Sequence, residues 1–169
     1  FRRVDPVWGD LEASGLNSGE GLAYHVRDDT VKSIEIKNDG KPTGRYEDQV
    51  VEVGVQDKRL PIIESEFAKT LKVMSRDTNT LSALVRQAWD TGSLRTHTKN
   101  NPVRATDAHI SIIGHITVGE LRRYINQTKL ANGFANRFLW VLVRRSKSLP
   151  HGGGQPDYRN LVPRLQEAL

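Results

Sequence analysis

The feature that most constrains the fold is a set of three short apolar runs bounded by polar or turn residues. They occupy residues 60–64, 109–116 and 138–143, and the second, HISIIGHI, is almost continuously β-branched. Such runs are typical of strands whose two faces are both covered in a parallel sheet. Because helical patterns separate the runs, the sequence predicts an α/β fold, a mostly parallel sheet flanked by helices.

Capping signals indicate where several helices begin. Asp5 is an N-cap before Pro6, and Asn17 or Ser18 is placed to cap a second helix. The segment TVGE at 117–120 is a capping box, with its glutamate three residues after its threonine. Further helices are predicted at residues 67–74, 81–89, 117–126 and 159–169.

Residues 28–58 differ in character from the rest of the chain. Two β-like runs, 31–37 and 50–55, flank the turn-forming segment NDGKPTG. They predict a hairpin or mobile insertion that stands off the core. Residues 1–150 are otherwise expected to form one domain, and residues 151–169 a linker and a terminal helix.

Composition narrows the chemistry that is open to the chain. There is no cysteine, which excludes disulfides and thiolate metal sites and favours a cytoplasmic protein. No apolar run approaches the roughly 18 residues of a membrane span, so no membrane partner is expected. The net charge of +5 favours polyanionic partners, although many basic domains bind no nucleic acid.

Two carboxylates, Glu64 and Glu66, end the first apolar run. A carboxylate at the carboxyl end of a buried strand lies where ligands bind in open α/β sheets. It can hold Mg²⁺ while a second carboxylate polarises the attacking water. The alternative is that a strand ends in a polar residue for solvation, and that glutamate favours the first turn of the following helix.

His115 lies at the end of the second run, and Arg137 immediately precedes the third. If residues 60–64 and 110–115 are neighbours in one sheet, Glu64 and His115 converge on one pocket. His115 would then contact a γ-phosphate or position water, and Arg137 would stabilise transferred charge. The alternatives are a solvent-facing histidine and an arginine that caps a helix or pairs with an acid.

Seven basic side chains are candidates for phosphate contacts with nucleic acid, and Trp89, Trp140 and Tyr124 are candidates for stacking on bases. The apolar patterns around the two tryptophans favour the core instead. A solvated surface is the alternative for the basic residues, which are Lys99, Arg104, Arg122, Arg123, Arg144, Arg145 and Lys147.

Three long segments carry a resemblance to a known family: GLNSGEGLAYHVRD, the stretch from DKRLPIIESEF to ITVGELRRY, and ANGFANRFLWVLVRRSKSLP. Their order resembles P-loop ATPases of bacteria, plasmids and phages that are related to primase–helicases, over about residues 1–150. The resemblance implies an incomplete RecA/AAA-like core. It implies Glu64 and Glu66 at a Walker B-like strand end, His115 as sensor and Arg137 as arginine finger. The cofactors it implies are ATP and Mg²⁺, with Glu64 as metal ligand.

The sequence departs from this family at the phosphate-binding loop, which in the family lies upstream of the counterpart of Phe1. No G-x-x-x-x-G-K-[ST] loop occurs here. The implied parent protein is an ATPase or helicase of DNA replication, with weak or no hydrolysis by this chain alone.

The resemblance also implies a strand upstream of the counterpart of Phe1, next to residues 60–64. Without that strand, residues 60–64 are expected to have an open edge. The missing part of the domain, another element or a partner chain, in a possible oligomer, would cover that edge. The alternative function is a non-catalytic module that binds nucleic acid or a protein partner.

Overall fold

A computed structural model describes residues 2–97, 102–125 and 132–168. In chain order its elements are α1 (Pro6–Asp10), α2 (Gly19–Tyr24), β1 (Thr30–Asn38), β2 (Lys41–Glu52), β3 (Arg59–Glu64), α3 (Phe67–Val73), α4 (Leu81–Thr91), β4 (Leu94–Arg95), β5 (Arg104–Ala105), β6 (His109–Gly114), α5 (Val118–Tyr124), a 3₁₀ turn (Ala135–Arg137) and α6 (Leu161–Gln166).

The central sheet is the parallel pair of β3 and β6. Arg59 lies opposite His109, and Glu64 lies opposite Gly114. Most side chains of β3 are buried, and Ile62 is 1% exposed. The fold is therefore mixed α/β with a small parallel sheet and helices. Within the described ranges the sheets have two strands each, so the larger parallel sheet that the three apolar runs predicted is not formed.

Both edges of β3 have partners, which corrects the expectation of an open edge on residues 60–64. On the side away from β6, the Ala13 amide donates to the Pro61 carbonyl, and the Ile63 amide donates to the Ala13 carbonyl, each at 2.9 Å. The chain before α2 thus supplies a short parallel neighbour. Among the described residues, β6 pairs with β3 alone, so the open edge of the sheet belongs to β6.

The prediction of a buried strand at residues 138–143 is wrong. After the 3₁₀ turn the chain is irregular and forms no strand, and Leu139 and Val143 are 90% and 81% exposed. The apolar pattern marks residues suited to a sheet, but a strand also needs a neighbour to accept its backbone hydrogen bonds. In the described part of the chain no strand lies beside this segment.

The capping predictions are confirmed. The Asp5 side chain accepts a hydrogen bond from the Trp8 amide at 2.9 Å, and the Ser18 hydroxyl accepts one from Gly21 at 3.0 Å. At the start of α5, Thr117 and Glu120 form the reciprocal capping box. These local bonds satisfy amides that have no partner inside their own helix.

The core lies between the central sheet and helices α2, α3 and α4. Helix α2 packs on α4, and α4 also contacts β6. The largest fully buried side chains, which fix the positions of these elements, are Phe67, Phe134, Leu22, Ile62, Leu71, Leu81 and Leu94.

The predicted hairpin is confirmed, with a tighter turn than NDGKPTG suggested. β1 and β2 are antiparallel and joined by Asp39 and Gly40, whose φ angles of 49° and 77° suit a two-residue hairpin turn. β2 therefore starts at Lys41, before the run predicted at 50–55. Nearly all hairpin side chains are exposed, so the hairpin stands off the core.

Near the end of the chain, α6 is a short helix within the predicted terminal helix, and it follows an irregular glycine-rich segment. No helix of the described ranges has the length and hydropathy that crossing a bilayer requires.

Candidate functional site

The carboxyl ends of β3 and β6 form the candidate site. The His115 amide donates to the Glu64 carbonyl at 2.8 Å, and the His115 carbonyl accepts from the Phe67 amide at 2.9 Å. Residues 60–64 and 110–115 therefore lie side by side in one sheet, as predicted, but the pocket beside β6 is lined by His115 and not by Glu64, so the expected convergence of the two side chains on one pocket is not observed there. Because parallel strands end at the same edge, the backbones of Glu64 and His115 are adjacent where open α/β sheets bind ligands.

The Glu64 side chain is buried, with 8% of the residue exposed. Its Oε1 accepts a hydrogen bond from the Leu16 amide at 2.7 Å, a charge-assisted bond from the loop before α2. Gly15 enters this bend with a φ of 79°, a conformation that glycine adopts without strain. In the described residues no other protein group donates to this carboxylate, so Oε2 is left for solvent or a ligand.

Glu66 and His115 are exposed beside this buried carboxylate. Glu66 occupies the N-cap position of α3, but its side chain makes no capping hydrogen bond. Both side chains are therefore accessible to a ligand at the strand ends.

Arg137 is held by an acid, as one of the sequence alternatives proposed. Its Nη2 lies 2.7 Å and 2.8 Å from the two carboxylate oxygens of Asp90, and its Nη1 donates to the Gly133 carbonyl at 2.7 Å. The Arg137 side chain is 20% exposed, and together with His115 it lines the groove beside β6 that is described below. Asp90 was not a sequence candidate, because a pair 47 residues apart leaves no local signal.

An aromatic cluster next to the strand ends was also missed. The Phe67 ring centroid lies 5.5 Å from that of Phe138 and 6.5 Å from that of Trp140, and Phe134 lies 5.0 Å from Phe138. The Trp140 indole N–H donates to the Ala135 carbonyl at 3.0 Å. The cluster fixes the first residues of the irregular segment 138–143 against the start of α3.

A groove of about 1170 Å³ separates β6 from residues 138–143. We call it the β6 groove. One part of its lining, here called a wall, is the β6 strand with the turn that follows it, a second wall is Arg137 with residues 138–143, and residues of α4 including Trp89 also belong to the lining. Ile113 is 46% exposed on the first wall, and Leu142 is 70% exposed on the second. An apolar groove therefore opens beside the candidate site.

The basic residues that were predicted to contact nucleic acid do not lie on one helix or strand. The Arg104 side chain is exposed, and its Nε lies 3.9 Å from Oδ2 of Asp28, whereas Arg122 and Arg123 lie in the last turn of α5. Arg144, Arg145 and Lys147 are exposed in irregular chain after residue 143, and Lys99 lies outside the described residues.

The prediction of a core position for Trp89 is wrong, because this residue is 69% exposed on α4. Trp140 is 39% exposed and packs in the aromatic cluster. Tyr124, at the end of α5, has the Arg123 guanidinium 5.6 Å from its ring centroid. Of the three aromatic candidates, Trp89 thus presents the most surface to a ligand.

Glu64 is the residue predicted from the sequence to be a metal ligand. Within the part of the chain that the structure describes, no three histidine, aspartate or glutamate side chains are grouped to hold a metal ion. Mg²⁺ is often bound by one or two carboxylates, with waters and substrate phosphates completing its shell. The Oε2 atom of Glu64 fits such a shell as one ligand, directly or through water.

No protein-family model matches the chain, and no match is found among curated proteins or among solved structures.

Proposed function

We propose that this chain is the distal part of a replication-type ATPase or helicase domain, which hydrolyses ATP weakly or not at all by itself. The observation that supports this most is the adjacency of Glu64 and His115 at the carboxyl edge of a parallel strand pair. The phosphate cradle would come from a glycine-rich loop that this sequence does not contain.

Each candidate has a role in this proposal that its surroundings permit. Glu64 would hold Mg²⁺ through Oε2 while the Leu16 amide fixes the carboxylate. Glu66, exposed at the start of α3, would accept a hydrogen bond from the attacking water. His115 would contact the γ-phosphate from the neighbouring strand end. The bound metal would neutralise charge on the β- and γ-phosphates.

Arg137 would stabilise negative charge on the transferred phosphoryl group only after its ion pair with Asp90 has broken. The Asp90 side chain is 49% exposed, so water screens this ion pair. Surface ion pairs contribute about 0–1 kcal/mol and well-aligned bidentate pairs such as this one more, so a phosphate dianion would have to compete with Asp90 for the guanidinium. The Asp90 pair would hold the guanidinium at the edge of the β6 groove until nucleotide binds.

A phosphate-release assay tests the catalytic part of the proposal. At millimolar MgATP we expect weak or no turnover by this chain. Robust hydrolysis that disappears in Glu64→Gln would contradict the proposed dependence on a separate phosphate loop.

A nuclear magnetic resonance titration tests the binding part. We expect MgATP, added to about 10 mM to detect millimolar affinity, to shift the amide signals of Gly114 and His115. Glu64→Gln should weaken this response severalfold, whereas Glu47→Gln on the exposed hairpin should titrate like the unaltered chain. A response absent from the strand ends, or unchanged in Glu64→Gln, would refute the site.

A further inference from the structure

We propose that the β6 groove binds one extended, apolar β-strand of a partner polypeptide, which adds to the sheet beside β6. This proposal does not depend on nucleotide binding. It rests on the open backbone edge of β6, the chemistry of the two groove walls and the size of the groove.

The backbone amides and carbonyls on the open edge of β6 can form hydrogen bonds with a further strand. The amides of His109 and His115 donate toward β3, to the carbonyls of Lys58 and Glu64. Because backbone groups alternate along a strand, those of Ile110, Ile112 and Gly114 face away from β3. In the described residues none of the three has a partner on that side. Apart from water, another extended backbone is the group that matches such a row, since a lipid or an aromatic molecule lacks the donors and acceptors at the right spacing.

The walls of the groove favour an uncharged strand. Ile113 and Val118, near the β6 side, are 46% and 47% exposed, and the opposite segment carries Leu139, Val141 and Val143 with still larger exposure. Among the described residues of the lining, Arg137 is the only lysine or arginine, and its guanidinium is paired with Asp90. A charged occupant would lose hydration without gaining a partner inside the groove.

The size of the groove suits a single strand. Six residues at about 3.3 Å per residue, with a strand spacing of about 4.8 Å and a sheet thickness of about 10 Å, fill on the order of 1000 Å³. The groove measures about 1170 Å³. Residues 138–143 cannot simply close the gap, because the rings of Phe138 and Trp140 are held in the cluster around Phe67.

The probe that tests this proposal is a synthetic peptide of six alternating valines and isoleucines, with two lysines at each end for solubility. Residue-resolved amide hydrogen exchange is the readout. We expect the peptide to slow exchange at Ile112 and Gly114 about tenfold or more, because new backbone bonds protect these amides. The amides of Ser111 and Ile113, which face β3, should change little.

Two controls separate strand addition from general hydrophobic binding. The same peptide with all six central amides N-methylated keeps its apolar surface but loses its donors, and it should not protect the β6 amides. Val143→Lys, on the groove wall, should weaken binding at least tenfold, whereas Val53→Lys, at a comparably exposed valine beyond β2, should have no effect.

Three outcomes would overturn the proposal. The first is equal binding by the N-methylated peptide. The second is uniform protection without the alternation along β6. The third is protection of Ile112 and Gly114 that rises with protein concentration, without peptide and together with a dimer mass in sedimentation, which would make a second copy the occupant.

Discussion

Replacing Phe67 by alanine is expected to cost this protein a large share of its stability. The residue is 2% exposed, and its ring contacts two other aromatic rings. A Cβ atom built on Gly114 would lie 2.7 Å from the Phe67 ring, which shows how closely the ring packs on the end of β6. Phe67→Ala removes this ring and leaves a cavity between α3, β6 and the aromatic cluster.

The magnitude follows from the burial. Truncation of a buried phenylalanine to alanine costs about 3–5 kcal/mol, of a total free energy of unfolding of about 5–15 kcal/mol. For a chain of this size, 1 kcal/mol lowers the melting temperature by about 2–4 °C, so a loss of roughly 6–20 °C is expected. Urea unfolding followed by circular dichroism gives the free energy. Tryptophan fluorescence, measured with Trp8 and Trp89 replaced by phenylalanine, reports the local change, because the Trp140 indole packs on the same cluster.

Two control variants make the test specific. Phe67→Leu keeps most of the buried volume and should cost less than about 2 kcal/mol. Tyr46→Ala removes an aromatic residue that is 67% exposed on the hairpin, and it should change stability by no more than about 0.5 kcal/mol. If Phe67→Ala costs less than about 1.5 kcal/mol, or no more than Phe67→Leu, the ring is not the packing centre described above.

Three further predictions concern the framework around the site. Burial alone would raise the pKa of Asp28, but hydrogen bonds donated by Lys58 and Thr106 outweigh it and hold the pKa below the ordinary value. The stability this provides is present above about pH 4 and is lost as the pH falls through the folded-state pKa. Acid titration of unfolding should therefore show a shallower decline below pH 4 in Asp28→Asn. Gly92→Ala should cost about 1 kcal/mol in urea unfolding, since Gly92 ends α4 at a φ of 64°. Thr117→Ala should cost about 1 kcal/mol and speed amide exchange in the first turn of α5, and unchanged exchange there would contradict the capping role.

Local signals predicted the elements whose cause is local. The caps at Asp5 and Ser18 each depend on a side chain and an amide three residues apart, so the sequence pattern contains both partners. β3 and β6 were predicted because their apolar runs are short and rich in branched residues. Their adjacency is an assumption of the sequence-based prediction, because a shared site at the carboxyl edge of the sheet requires it, and the pairing of the two strands confirms it.

Long-range partners could not be predicted in the same way. The Leu16 amide that fixes Glu64 is 48 residues away in sequence, and Asp90 is 47 residues from Arg137. The apolar pattern at 138–143 is the same whether or not another strand lies beside it, because the pattern of side chains does not depend on the backbone hydrogen-bond partners. The pairing of Ala13 with β3 could not be predicted either, because it consists of two backbone hydrogen bonds and needs no run of apolar residues.

The position of the open edge decides how the sheet can grow. β3 has β6 on one side and Ala13 on the other, so a further strand cannot pair with it without displacing one of them. β6 has one neighbour in the described residues and an apolar wall facing its other edge. A strand added there would make β6 a central strand and give residues 138–143 a backbone partner. The same addition would therefore bury Leu139 and Val143, whose exposure is the main departure from the sequence-based prediction.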